Sequence, residues 1–368
     1  MTFNQLLLGT RKGLLIYERR DGAWKRINES FTGARVSYAL RDPRDGRLYA
    51  CQDHGHWGVK LSSSTDGGAT WQELPVPKYP AEEELKPGKP AVLKYLWVLT
   101  PGAADQPGRL YAGTAPGALF VTDDHGQSWR RVDSLWKHPT HTPDSWFGGG
   151  LEEVGIHSIL PDPRNLRRLR IGISCAGQYI GEPKGNDWDW RPSNRGLKAE
   201  FLPNPDAEVG HDPHFIAQCA GEPDKLWQQN HCGIFRSTDG GETWTAASQK
   251  GTLPHFGFAI AVDPAQGDTA WVVPADSDEV RVAVDRALCV ARTDDGGQSW
   301  QIFRQGLPQT DCYDFAFRHA LDLNAGSDSV RELAFGTVCG SLYVSNDRGE
   351  SWQTVANHLP PIYSVRFA

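Results

Sequence analysis

Short apolar runs, each opened by a small residue and closed by a polar turn, recur from one end of the chain to the other at 13–17, 58–61, 117–121, 233–236, 287–290 and 340–344. A second set lies just upstream of these, at 47–50, 109–112, 225–227 and 333–335. A third occupies 36–40, 95–99, 156–160, 215–218, 258–262 and 313–317, and three of its members end in Asp-Pro turns at Asp42, Asp162 and Asp263. Runs this short, bounded by turn residues, predict β-strands, and no stretch carries the longer period of an extended helix.

The turn that follows the first set is itself a repeat. Ser64, Asp66, Gly68 and Trp71 recur as Thr122, Asp124, Gly126 and Trp129; Ser237, Asp239, Gly241 and Trp244; Thr293, Asp295, Gly297 and Trp300; and Ser345, Asp347, Gly349 and Trp352. Weaker copies surround Asp21 with Trp24 and Asp187 with Trp190. Tryptophans at 24, 71, 129, 190, 244, 300 and 352 stand 47, 58, 61, 54, 56 and 52 residues apart, the length of one four-stranded propeller blade. The chain is therefore expected to be all-β, a single seven-bladed propeller over residues 1–368. The first blade has no inner strand of its own, so the run 362–367 should pair with the N-terminal segment and close the ring. Each box reads as a hairpin turn: the Asp carboxylate accepts backbone N–H bonds, Gly supplies positive φ, and Trp packs between sheets.

Composition narrows the function classes. With 38 Lys+Arg against 45 Asp+Glu the net charge is −7, and no basic stripe is present, so a nucleic-acid partner is not expected. No run approaches the roughly 20 apolar residues of a membrane span, and the N-terminus has three leucines before charge returns. A soluble, cytoplasmic protein is the expectation. Seven Cys without a Cys-x-x-Cys pair read as reduced thiols.

In an up-and-down blade the boxes lie on one face of the disc. Ten of the twelve histidines fall on the opposite face; His125 lies in a box, and His319 is expected at the far end of an inner strand. His56, His211, His214 and His231 are candidate ligands for a divalent metal such as zinc or manganese, because imidazoles with one or two carboxylates suit such ions; no organic cofactor is indicated. Glu152, Glu153, His157 and Arg11 are the candidate catalytic and anion-holding groups. Insertions at 75–92, 131–155 and 191–210 should wall the same pocket, with Trp136, Trp146 and Phe147 as apolar or sugar-stacking surfaces.

The boxes resemble those of the Asp-box (BNR) repeat propellers, a group that includes sialidases, tandem-propeller xyloglucan hydrolases, sortilin-type receptors and photosystem II assembly factors. The resemblance covers nearly the whole chain and implies the fold. A sialidase would carry an Arg-Ile-Pro type motif and an arginine triad. Here that motif is missing, Arg11 and Arg35 alone look placed to face the funnel early in the chain, and Tyr313 beside Asp311 is the nearest to a nucleophile pair. A single propeller also lacks the facing partner of the xyloglucan hydrolases. The expected function is binding of a metal or a small polar or anionic ligand on the His-rich face, as a hydrolase- or lyase-type enzyme on a carbohydrate-like or anionic substrate but not a true sialidase. The alternative is a non-catalytic scaffold that holds a protein partner.

Overall fold

The computed structural model describes residues 4–149, 153–324 and 331–368. Seven four-stranded antiparallel sheets follow one another around a ring. The inner strands are Ile362–Phe367, Arg35–Arg41, Tyr95–Pro101, Ile156–Asp162, Pro213–Gln218, Gly257–Val262 and Leu321–Asn324, and each contacts the next until the last returns to the first. Closure is made as the sequence predicts. Leu6 pairs with Phe367, Leu8 with Val365 and Gly9 with Ser364, so the C-terminal strand completes the blade begun by Gln5–Thr10. A closed ring leaves no inner sheet edge to recruit another chain.

The box turns show why this sequence folds this way. In the fifth blade the Ser237 hydroxyl donates to Asp239 at 2.8 Å and accepts the Gly241 N–H at 2.8 Å. The other Asp239 oxygen takes the Thr243 hydroxyl at 2.5 Å, and Thr243 N–H donates to the same carboxylate at 2.9 Å. Boxes around Asp66, Asp124, Asp295 and Asp347 repeat this pattern. Gly241 has φ near 87°, a left-handed conformation that favours glycine.

The turn then aims its tryptophan at the preceding blade. Indole N–H groups donate from Trp71 to Ser30 Oγ, from Trp129 to the Pro75 carbonyl, from Trp190 to Ser134 Oγ, from Trp244 to the Ser193 carbonyl and from Trp300 to the Ala247 carbonyl, at 2.8–3.1 Å. Every acceptor lies in or just beyond the outer strand of the blade before. Burying the indole supplies the apolar term and the N–H fixes its register.

One strand differs from expectation. The seventh blade begins at Leu321–Asn324, and residues 313–317 run outside the sheet. Asp314 Oδ1 accepts the N–H groups of Phe315 and Cys339, and Val338 N–H donates to the Phe315 carbonyl, holding this stretch against the central axis. The alternation of apolar residues there reports packing of Phe315 and Phe317 against neighbouring rings, not strand pairing. Among the described residues no helix is long and apolar enough to cross a membrane, and all seven cysteines are free thiols.

Two measurements bear on the boxes. Trp244→Ala should destabilise the protein by about 3–5 kcal/mol in urea unfolding, as for other buried tryptophans; a cost below about 1 kcal/mol would mean the indole ties nothing together. The Asp66 and Asp295 carboxyls are held down to about 2 by hydroxyl and backbone donors from Thr70 and Ser299. A depressed carboxyl stabilises above its unfolded value of about 3.9 and loses that contribution as pH falls toward its folded one, so the urea midpoint should drop between about pH 4 and about pH 2. A midpoint that holds steady through that window would show that the boxes do not depend on the ionised carboxylate.

Candidate functional site

The blades leave a funnel on the face opposite the boxes, at the N-terminal ends of the inner strands. It encloses about 450 Å³ and is lined by Arg35, Tyr95, Trp97, Asp212, His214, Phe258, Phe317, Arg318 and Tyr363, among others. The displaced segment before the seventh blade closes its floor. His319 donates from Nε2 to the His157 carbonyl at 2.8 Å, linking the seventh blade to the fourth, and packs its ring against Tyr38 and Phe215. Next to it, Arg318 Nε donates to the His214 carbonyl at 2.8 Å. Its guanidinium lies 4.8 Å from the centroid of Trp97 and 5.6 Å from that of Phe258. Among the described residues no carboxylate lies within 4.0 Å of it.

Along one wall, Asp212, His214 and His231 converge, with one donor atom from each lying within 4.8 Å of the other two. Asp212 Oδ2 stands 3.5 Å from His214 Nε2 and 3.7 Å from His231 Nδ1. Burial alone would raise the Asp212 carboxyl; the contact with His214 and the charges of Arg318 and His231 outweigh it, so the group stays ionised well below the ordinary carboxylate range. His231 also lines an outer cavity of about 950 Å³, together with Phe201, Lys250, His255 and Asp278.

The family model of the BNR/Asp-box repeat matches residues 235–246, the box of the fifth blade. Four further boxes of the same pattern stand on the seven four-stranded sheets. The chain is a BNR-type β-propeller. It is 29% identical over 167 residues to a xyloglucanase of Acetivibrio thermocellus, covering 38% of this chain and 18% of that protein. It is 28% identical over 187 residues to an oligoxyloglucan-reducing end-specific xyloglucanase of Emericella nidulans, covering 47% and 20%. The matches thus span about a fifth of the length of these relatives. Among solved structures, an ancestral GH74 enzyme superposes with a TM-score of 0.58 at 14% identity, covering 97% of this chain and 40% of that one. YCF48 from Cyanidioschyzon merolae superposes with a TM-score of 0.53 at 15% identity, covering 93% and 88%. These superpositions show the fold.

The propeller brings together some of the residues singled out from the sequence and separates others. His214 and His231 meet, with Asp212 between them. His211 is buried with Nε2–H donating to the Ala207 carbonyl at 2.6 Å and is not in that group. His56 sits in the exposed short helix Gly55–Trp57 on the rim. His157 is fully buried, with Nδ1 3.0 Å from Ser158 Oγ, and supports the funnel floor through its backbone. Arg11 is exposed and lines a separate depression of about 230 Å³. Glu153 reaches the funnel. Burial would raise its carboxyl, but Lys89 and Lys94, at 2.7 and 2.6 Å, outweigh that and hold it below its usual value, as a carboxylate. Glu152 lies outside the described residues.

Trp136 and Trp146 are core residues, 6% and 5% exposed, and the Trp146 indole donates to Tyr179 Oη at 2.8 Å. The aromatic walls of the funnel come instead from Tyr95, Trp97, Phe258, Phe317 and Tyr363. Arg318 and His319 carried no sequence signal for this place, because their position depends on a segment leaving its expected strand. Burial holds the imidazoles of His157 and His319 well below their ordinary value, so both stay neutral in the fold. The unfolded chain binds their protons below about pH 6.5, so stability should decline as pH falls from about 7.5 to about 5.5. Urea midpoints measured across that range would contradict the assignment if they stayed constant.

Proposed function

We propose that the propeller binds a small anionic, carbohydrate-like ligand in its central funnel and acts on it as a hydrolase- or lyase-type enzyme. Arg318 carries this reading. A guanidinium held between two aromatic faces, anchored by one backbone bond and with no carboxylate within 4.0 Å among the described residues, keeps its remaining donors for a ligand. Such a fork recognises a carboxylate, sulfate or phosphate in two-point fashion. Arg281, stacked 5.5 Å from the Phe258 centroid, and Arg35, paired with Asp53 at 2.7 Å, add positive charge at the same opening. The rings of Tyr95, Phe317 and Tyr363 give the apolar wall that a sugar face packs on.

Near Arg318 on the funnel wall, Asp212, His214 and His231 form a polar cluster, with one donor atom from each within 4.8 Å of the other two. Similarity to xyloglucanases supports a carbohydrate-like ligand. The scaffold alternative expects a filled funnel or a broad apolar rim. The funnel is open, and the exposed large apolar side chains Trp57, Val92, Phe201, Val280 and Tyr313 come one each from five separate loops.

Calorimetric titration with glucuronate, galacturonate and a sugar phosphate, against glucose and xylose, tests the reading. At least one charged sugar should bind and the neutral ones should not. Arg318→Met keeps the stem and removes the fork, and should weaken that binding about 30- to 100-fold, the worth of a charge-assisted pair of about 2–3 kcal/mol. Equal binding of neutral and charged sugars, or an unaffected Arg318→Met variant, would overturn it.

A further inference from the structure

We infer that Asp212, His214 and His231 form a binding site for one divalent transition-metal ion, with zinc and manganese as the fitting classes. The site is separate in its atoms from the anion-binding guanidinium of Arg318, and it stands on the geometry of the three ligands themselves. Two donors bound tetrahedrally at about 2.1 Å from a common ion lie about 3.4 Å apart. Asp212 Oδ2 lies 3.5 Å from His214 Nε2 and 3.7 Å from His231 Nδ1, close to that spacing. A central ion needs only small side-chain movements to be reached by all three.

Each ligand is also held from behind. His214 Nδ1–H donates to the Gly257 carbonyl at 2.6 Å, which turns Nε2 and its lone pair toward the centre. His231 Nε2 stands 3.2 Å from Asp278 Oδ2, which turns Nδ1 inward. Asp212 Oδ1 accepts the Cys175 N–H at 3.1 Å and the Ser174 hydroxyl at 3.2 Å, leaving Oδ2 for the centre. All three therefore spend one atom on an outer partner and offer the other to a shared point. Outer partners of this kind, a carbonyl or carboxylate behind each imidazole, fix tautomer and direction in metal sites.

Three protein ligands leave coordination positions open, and they open onto space. Asp212 and His214 line the funnel, while His231, with its side chain 26% exposed, lines the outer cavity that would admit the ion. An ion there and the Arg318 guanidinium would flank the same anionic ligand.

The test uses the full chain purified without a histidine tag. After chelator treatment and dialysis, zinc chloride and manganese chloride are titrated by calorimetry, and bound metal is counted by mass spectrometry. One ion per chain is expected for at least one of the two. His231→Gln, on a partly exposed side chain, should weaken it at least about 100-fold, and Asp278→Asn about 10- to 100-fold as an outer partner. His56→Ala, on the exposed rim, should leave it unchanged. Absence of stoichiometric metal, or binding indifferent to His231→Gln in a protein that retains its circular dichroism, overturns the inference.

Discussion

Everything in this molecule rests on a carboxylate that folds its own turn and thereby aims an indole. In each full box an Asp accepts the backbone and hydroxyl donors of a residue four positions on, as Asp239 does from Thr243 and Asp347 from Ser351. That clamp fixes the direction in which the next residue, the tryptophan, leaves the turn. Four of these indoles, and Trp190 from a weaker copy, then donate into the neighbouring blade. Blade follows blade at a set angle because the same two interactions are repeated, and a repeated angle is what brings the last strand back to the first. The Leu6 to Phe367 pairing is the consequence.

A ring made this way has an axis, and an axis is a hole unless something fills it. Here the filler is the stretch ahead of the seventh blade. His319 reaches across to the fourth blade and Arg318 to the fifth, which closes the floor and leaves a funnel of about 450 Å³ above. The closure has an electrostatic result. A guanidinium is carried into an aromatic setting, and its charge helps to keep the buried Asp212 carboxylate ionised. Acidic as the chain is in total, the space at its centre is marked by arginine.

The degree to which the sequence disclosed this differs by residue. The boxes announced themselves because a turn needs particular side chains at particular positions, and these recur whatever surrounds them. His214 and His231 stood out for the same local reason, as histidines in segments expected at the mouth of the ring. His56, His211 and Arg11 were equally visible by that criterion, yet His56 lies on the exposed rim, His211 is bonded to its own loop, and Arg11 lines another depression. Asp212 stands between His211 and His214 in the chain, but which of its neighbours it would face depended on the angle between the strands Pro213–Gln218 and Leu226–Asn230.

What the sequence determined by itself is the architecture: turn chemistry is local, and seven repeats of a local rule add up to a closed ring and its closing strand. What only the tertiary structure decided is the content of the funnel. Arg318 and His319 are there because residues 313–317 gave up strand pairing to pack Phe315 and Phe317 beside Phe258 and Tyr363. That exchange is a competition between sheet hydrogen bonds and packing across the axis, and its outcome depends on residues as distant in the chain as Phe258 and Tyr363. No periodicity within the segment records it.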